Sequence, residues 1–336
     1  MPSLPTPRGP LSDQLVSALA CAPGALDDPP VPTPDDPLGD DDLHLALYVL
    51  YELHYRGFDG VDERWEWDAG ALALRGRLET VFEDGLRDAL AGWTPPPAAP
   101  AEMDLALRAI LEEDDGPSLS RRLEISGTLE QVREFLIHRS AYQLKEADPH
   151  SWAIPRLSGP AKAALVEIQS DEYGNGDPAR VHAQLFADAM DAMGLDPTYG
   201  AYLDILPGVT LATVNLMSLF GLQRRLRGAI VGHLALFEMT SSIPNRRYAT
   251  ALRRLGVDDP RATRFFDEHV TADAVHENVA AIDLAGGLVR QDPSLTADVL
   301  FGARALLEID ARWAAHLLAA WDDERSSLAT TWDAIA

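Results

Sequence analysis

Residues 260–287 read PRATRFFDEHVTADAVHENVAAIDLAGG, and apolar side chains recur in this stretch every three or four residues. That spacing predicts a helix with one buried face. Residues 43–57, 70–92 and 128–146 show the same periodicity. The chain lacks the series of alternating Val, Ile and Thr segments between turn residues that a sheet needs. The sequence therefore predicts an all-α fold.

The same stretch carries a pattern typical of metal sites. His269, Asp273 and His276 occupy positions i, i+4 and i+7. At ~100° per residue these positions lie within an arc of about 60°, so the three side chains share one helix face. Two imidazoles and a carboxylate suit Fe, Mn or Zn. The alternative interpretation is a polar stripe on an exposed helix.

Further ligand candidates lie upstream of this helix. Glu146 ends the predicted 128–146 helix, and Glu172 and His182 flank the segment GNGDP. A continuous helix would place Glu172 and His182 ~15 Å apart along its axis. We expect GNGDP to interrupt the helix, so that both side chains can reach one site. Taken singly, each of these residues is also compatible with a solvated surface position.

Together these residues resemble the haem-oxygenase-like diiron oxidases and oxygenases, and the resemblance covers residues 128–290. In that superfamily three core helices supply a Glu, a Glu/His pair and a His-x3-Asp-x2-His triplet. In particular, the chain resembles the members that oxidise nitrogen, such as the diiron domain of the N-nitrosourea-forming enzyme, which add a carboxylate from a further helix. The ligands implied by this resemblance are Glu146, Glu172, His182, Glu238, His269, Asp273 and His276.

The resemblance also implies the chemistry. Two Fe(II) ions carry four positive charges, which the four implied carboxylates balance. The expected co-substrate is O2, which the two irons reduce to a bridging peroxide using electrons from an external donor. We expect N-oxygenation of the amine of a small amino acid or other amine. Other members of the superfamily cleave C–C bonds or desaturate amino or fatty acids, and that outcome stays open.

Catalytic and substrate-binding candidates follow from position. Tyr142 and Arg139 precede the first glutamate ligand by one and two helical turns. We assign catalytic roles to Tyr142 and to Glu238, the additional carboxylate. Arg139, Arg246 and Arg247 are candidates for binding a substrate carboxylate through paired hydrogen bonds. Each arginine is also compatible with a surface position that balances an acidic chain.

Three competing hypotheses remain. A hydrolase of the same fold would need a core cysteine, but the single Cys21 lies in the N-terminal leader. A ferritin-like bundle uses Glu-x-x-His pairs, and none occurs near the candidate residues. The third alternative is a non-catalytic helical binding protein in which the His and acidic residues are incidental.

The charge distribution limits the partners and divides the chain. The sequence has 28 Lys+Arg and 53 Asp+Glu, a formal charge of −25, which disfavours nucleic acid and anionic membranes. Residues 1–42 hold ten prolines and a net charge of −7, so we predict a flexible acidic leader. A helical region with a proline-rich linker is predicted at 43–100, and the haem-oxygenase-like diiron domain at 101–336.

Two further expectations concern location and the aromatic segment 48–67. A single cysteine and the absence of a signal-like N-terminus favour the cytoplasm, and the resemblance allows a homodimer. Tyr48, Glu52 and Tyr55 share one face of the predicted 43–57 helix. This face is typical of core packing, and the alternative is a lid over a cofactor or substrate.

Overall fold

The computed structural model describes residues 1–24, 26, 31 and 33–330, apart from the side chains of residues 273–275. Within these residues the regular structure is helical and contains no strand, which confirms the all-α prediction. Short 3-10 turns join several of the helices. The α-helices are α1 Pro10–Leu19, α2 Asp41–Glu52, α3 Ala69–Ala89, α4 Met103–Glu112, α5 Leu119–Ser126, α6 Leu129–Gln143, α7 Asp148–Ser151, α8 Gly159–Glu172, α9 His182–Ala192, α10 Gly208–Leu222, α11 Arg227–Arg254, α12 Arg261–Asn278, α13 Gly286–Gln291 and α14 Thr296–Asp322.

The longest helix, α11, lies at the centre of the bundle and packs against α12 on one side and α14 on another. The first half of α11 is small and apolar, and nearly every residue from Gly228 to Leu236 is buried. Gly232 allows the closest approach, because a Cβ atom there would collide with the backbone carbonyl of Val299 in α14. The absence of a side chain at Gly232 therefore brings the two helix backbones into contact.

Helix α6 begins with a capping box, in which Thr128 and Gln131 satisfy each other's backbone amides. The sequence predicted that this helix ends at Glu146, but the helix ends at Gln143. Pro149 gives the physical reason, because its ring lacks the amide that would bond the carbonyl of residue 145 in a continuing helix. The chain turns at Ala147, which has a left-handed φ of 72°. Glu146 therefore lies on a turn between α6 and α7.

The interruption predicted at GNGDP is present. Helix α8 ends at Glu172, and a 3-10 turn at Gly174–Gly176 leads to α9, which begins at His182. Gly174 has φ of 68°, and a Cβ atom at this position would lie 2.7 Å from the backbone of Arg180. The turn folds the chain back on itself, so the last residue of α8 and the first residue of α9 meet.

The helix predicted over 260–287 is not uniform. Helix α12 ends at Asn278, and a π-helical segment, Val279–Ala285, continues it into α13. π-Helical insertions of this kind occur frequently at functional sites. The segment packs against α8, the helix that carries Glu172.

The predicted leader contains an ordered helix. Leu11, Leu15 and Leu19 of α1 are buried, and α1 packs against α2, which packs against α10. Their i, i+4, i+8 spacing marks an apolar face that the proline and Asp content of residues 1–42 obscures. The domain boundaries at 42/43 and 100/101 stay a prediction. Among the described residues, no helix combines the length and the apolar character that crossing a membrane requires.

Candidate metal centre

Six of the seven predicted ligands converge in the interior of the bundle. Glu146 lies on the turn after α6, Glu172 and His182 flank the break between α8 and α9, and Glu238 projects from α11. His269 and His276 come from α12. All six side chains are buried, with an exposed fraction of 7% or less. The side chain of Asp273, the seventh predicted ligand, lies outside the described residues.

The ligand atoms form two groups that share one residue. In the first group, atoms of Glu146, Glu172, His182 and His269 all lie within 4.8 Å of one another. In the second group, atoms of Glu172, Glu238 and His276 meet the same limit. Glu172 belongs to both groups. The arrangement therefore gives two candidate groups of metal ligands that have one carboxylate in common.

Within these groups the acidic oxygens face imidazole nitrogens. Oε2 of Glu172 lies 2.9 Å from Nδ1 of His182, and Oε1 of Glu146 lies 3.6 Å from Nε2 of His269. Oε2 of Glu238 lies 3.5 Å from Nδ1 of His276. Imidazole and carboxylate donors at this separation suit a first-row transition metal placed between them.

Residues outside the two groups orient the imidazoles of α12. Nδ1 of His269 lies 2.8 Å from the carbonyl oxygen of Phe265. Because a carbonyl oxygen can only accept, this nitrogen carries the proton and donates the hydrogen bond. Nε2 of His276 lies 3.3 Å from the carboxylate of Asp171, which Asn175 also contacts. Such outer partners fix the tautomer and leave the other ring nitrogen available for a metal.

The polar atoms of the site test whether its residues fit metal ions. Oε2 of Glu146, Nδ1 of His182 and Nδ1 of His276 are buried and have no hydrogen-bond partner among the described residues. The His182 nitrogen lies close to Glu172 but is not aligned with it for a hydrogen bond. Buried polar atoms are almost always paired, so three unsatisfied atoms on three candidate ligands are available to bind metal ions. The donor set therefore fits metal ions.

The electrostatics point the same way. Burial raises the pKa of Glu238, and the nearby Glu172 raises it further, while His276 acts in the opposite direction. Burial also raises the pKa of Tyr142, and the carboxylates of Glu146, Glu172 and Glu238 add to that effect. The site is thus rich in negative charge, and cations at its centre would relieve the repulsion.

Comparison with protein families identifies the family of the fold that carries this site. A model of the iron-containing redox enzymes, a haem-oxygenase-like family, matches residues 133–311, which is more than half of the chain. The chain belongs to this family. No curated protein matches the sequence. The matched range contains every candidate ligand and the helices that carry them, and it confirms the haem-oxygenase-like fold that the ligand pattern predicted.

Family membership gives the metal site a coarse identity. An iron-containing redox family and a buried cluster of histidines and carboxylates together indicate an iron-dependent oxidoreductase. Helices α1 to α5 precede the matched range, so the N-terminal region is an addition to the part that the family model describes.

Two cavities adjoin the ligands in this family member. A small one, with a volume of about 10 Å³, lies among the ligands and is lined by Tyr142, His150 and Gln169. A larger one, of about 230 Å³, reaches Glu146 and His269 from the outside. Because Glu146 and His269 line both cavities, the larger space opens directly onto the metal-binding groups.

The remaining candidates divide between the cavities and the surface. Tyr142 lines the small cavity and Arg139 lines the large one. Arg246 is exposed, and Arg247 contacts Ser118 and lies 3.6 Å from Glu124. Neither of these two arginines lines the small or the large cavity, although Ser118, which Arg247 contacts, lies at the rim of the large one.

Sequence reasoning missed three residues near the site. Asp171 precedes Glu172 directly, and its acidity next to a ligand was the available signal. Asp310 lines the large cavity from α14, and no motif marks it. Lys145 precedes Glu146 and is buried against Glu52, a residue 93 positions earlier in the chain. Only the tertiary fold reveals that contact.

Proposed function

We propose that the protein is an O2-dependent non-haem diiron oxygenase that N-oxygenates the amine of a small amino acid or amine. The observation that carries the proposal is the shared position of Glu172, which places one carboxylate in both ligand groups. Two ions that share a carboxylate are adjacent, and adjacent irons can act together on one O2. When bound, the iron pair supplies the electrons and open positions that activate O2.

The protein's own residues have distinct roles in this proposal. Glu146, His182 and His269 would hold one iron, Glu238 and His276 would hold the other, and Glu172 could contribute to both. Asp171 and the Phe265 carbonyl orient the imidazoles. The phenol of Tyr142, kept neutral by burial and by the surrounding carboxylates, can donate a hydrogen bond into the small cavity.

The overall reaction fixes what else is needed. An amine, O2, two electrons and two protons give a hydroxylamine and water. The two electrons come from an external donor for each turnover. Aromatic side chains in the wall of the large cavity, among them Phe237 and Phe265, give the approach to the reacting atoms an apolar surface. Glu238 supports the nitrogen-oxidising assignment because it occupies the position of the additional carboxylate in the N-oxygenases that the sequence resembles.

Iron stoichiometry tests the dinuclear site. After anaerobic reconstitution with Fe(II), we expect about two irons per chain, and exposure to O2 should give a transient visible absorption band. Glu172→Ala removes the shared ligand and should release both irons. His276→Ala affects only the second group and should retain about one iron. Glu167→Ala, on the exposed face of α8, is the matched control and should retain both.

Zero or one iron in the wild-type protein, or two irons in Glu172→Ala, would contradict the dinuclear assignment. Product analysis then tests the reaction. Lysine, arginine and aromatic amines are supplied with Fe(II), O2 and a reductant, and hydroxylamine products support N-oxygenation. Alkene products or loss of carbon would favour the alternative of desaturation or C–C cleavage. A protein that binds two irons but consumes no O2 with any of them would point to a non-catalytic role.

A further inference from the structure

The 230 Å³ cavity beside the metal-binding groups runs from the surface to the interior. Its outer rim includes the exposed residues Asp114, Gly116 and Ser118, and its inner end is formed by the buried Glu146 and His269. A cavity of this volume suits one small molecule and not a polymer. The cavity is therefore an entrance route with room for one small ligand.

Most of the wall is aromatic or apolar, with rings contributed by α6, α11, α12 and α14. Phe135, Phe266 and Tyr248 form one packed group in this wall. Two opposite charges interrupt it, Arg139 from α6 and Asp310 from α14. A charged side chain in an apolar wall costs free energy unless a partner in the protein or a ligand compensates its charge.

Neither charged side chain has such a partner in the protein. Arg139 and Asp310 are half-buried, and neither side chain forms a hydrogen bond or an ion pair with a described residue, including each other. The guanidinium of Arg139 lies over the ring of Trp313, 5.1 Å from its centroid. This contact holds the planar group in place but leaves its hydrogen-bond donors unused. Burial raises the pKa of Asp310, whereas Arg139 lowers it, which shows that the two charges sense each other.

The two charges also have a defined order along the cavity. Arg139 precedes Gln143 by one turn of α6, ~6 Å, and Gln143 precedes Glu146 by three residues. Asp310 lies on the outer side, because a Cβ atom on Gly116 at the rim would lie 3.5 Å from the Cβ atom of the adjacent Ala311. A ligand that contacts both charges therefore has its charged end toward the rim and its other end toward the metal-binding groups.

We propose that this cavity binds an amino acid as a zwitterion, with its carboxylate on Arg139, its ammonium on Asp310 and its side chain directed to Glu146 and His269. The guanidinium can bind a carboxylate through two parallel hydrogen bonds, and a carboxylate is the natural partner of an ammonium. This orientation rests on the proposed function, because it requires that oxidation occur at a side-chain atom of the amino acid and not at the α-amine.

Binding to matched ligand sets tests the recognition of the charged end independently of iron and O2. The probes are L-lysine, L-arginine, L-phenylalanine and L-tryptophan, each compared with its decarboxylated amine and with a matched acid that lacks the α-ammonium. Calorimetry on the purified full-length protein should show at least one zwitterion binding at least tenfold more tightly than both of its matched compounds. Equal binding of the amine or the acid, or no binding of any probe at millimolar concentration, would overturn the proposal.

Two variants assign the charges. Arg139→Met should weaken zwitterion binding at least tenfold while leaving binding of the decarboxylated amine unchanged. Asp310→Asn should also weaken zwitterion binding at least tenfold, but should leave binding of the matched acid unchanged. Arg246→Met, at an exposed arginine outside the cavity, is the control and should bind like the wild type. Iron content should remain unchanged in all three variants. Unchanged zwitterion affinity in Arg139→Met would exclude the assignment even if the variant folds and binds iron normally.

The cavity proposal and the diiron proposal can fail independently of each other. Zwitterion binding that persists in a protein without two irons would retain this site and reject the oxygenase. Hydroxylation of the α-amine of a bound amino acid by the iron-loaded enzyme, detected by mass spectrometry, would retain the oxygenase and overturn the orientation.

Discussion

Lys145 and Glu146 are neighbours in the chain but belong to two buried clusters of opposite character. Lys145 is 1% exposed, and its Nζ lies 2.9 Å from Oε2 of Glu52, which also accepts a hydrogen bond from the hydroxyl of Tyr199 over 2.6 Å. The ammonium lies over the ring of Tyr55 at 4.2 Å. We call this group, with Tyr48, the anchor cluster. In it the single cation is matched by one carboxylate.

The metal-binding groups lack that balance. Three described carboxylates face three imidazoles there, and several of their buried atoms have no hydrogen-bond partner among the described residues. The difference separates two uses of buried charge. A charge-matched, fully bonded cluster stabilises the fold, whereas an acidic cluster with unsatisfied atoms is built for a cation that the chain does not itself supply.

The anchor cluster and two residues outside it, Arg56 and Gln169, together position the neighbouring Glu146. Arg56 donates a hydrogen bond to the carbonyl of Leu144 over 3.0 Å, and Gln169 donates one to the carbonyl of Ala147 over 2.8 Å. With Lys145 fixed by Glu52, every residue of the turn except Glu146 is held by another part of the protein. The turn therefore presents the Glu146 carboxylate in a preformed position.

The largest expected effect comes from breaking the anchor cluster. Lys145→Met or Glu52→Gln leaves one buried charge without its partner, and we expect each to lower the free energy of unfolding by about 3–5 kcal/mol. Because the double variant leaves no unpaired charge, it should recover at least half of that loss. Denaturant unfolding in EDTA measures all three, with Arg122→Met at an exposed ion pair as the control. Single variants as stable as the wild type would show that the cluster is not a structural anchor.

The next largest effect on the free energy of unfolding should come from metal addition, and it should act only through the metal-binding groups. At a free Fe(II) concentration 100 times the Kd, binding to the folded state alone raises the unfolding free energy by about 2.7 kcal/mol per site. Anaerobic unfolding with and without Fe(II) measures this increment. Glu52→Gln should retain it, and Glu172→Ala, which removes the ligand common to both groups, should lose most of it. An equal increment in both variants would mean that the metal binds elsewhere.

Tyr142→Phe should have a smaller effect, and on catalysis alone. The phenol lines the small cavity but forms no part of either ligand group, so iron content should remain at the wild-type level. We expect kcat to fall about tenfold, which corresponds to ~1.4 kcal/mol. Steady-state O2 consumption with the best substrate of the panel measures it. A loss of iron in this variant would assign Tyr142 a structural role in the metal centre.

The sequence predicted the metal centre better than the anchor cluster, for a physical reason. The spacing of His269, Asp273 and His276 on one helix, and the glycine-rich break before His182, are local patterns that constrain where side chains point. Lys145 has no such pattern, since a lysine in a helical segment normally lies at the surface. Its burial depends on Glu52, which is distant in sequence. For the same reason Asp310 could be recognised only from the structure.

The smallest expected effect is at Glu238, where removing the negative charge should stabilise the metal-free protein. The pKa of Glu238 is raised in the folded state, so the folded protein binds its proton more tightly than the unfolded chain does. The contribution of Glu238 to stability without metal therefore falls as the pH rises above the ordinary glutamate pKa of about 4.3, and this loss is complete once the folded group ionises.

Glu238→Gln cannot ionise and should escape this loss. In EDTA we expect it to match the wild type near pH 4 and to exceed it at pH 7 by on the order of 1 kcal/mol, the size of ordinary single-residue effects. With saturating Fe(II) the order should reverse, because the variant has lost a ligand. Denaturant unfolding across this pH range measures both arms. A variant less stable than the wild type in EDTA at pH 7 would show that Glu238, like Glu52, is a matched structural charge and that the two clusters do not differ in kind.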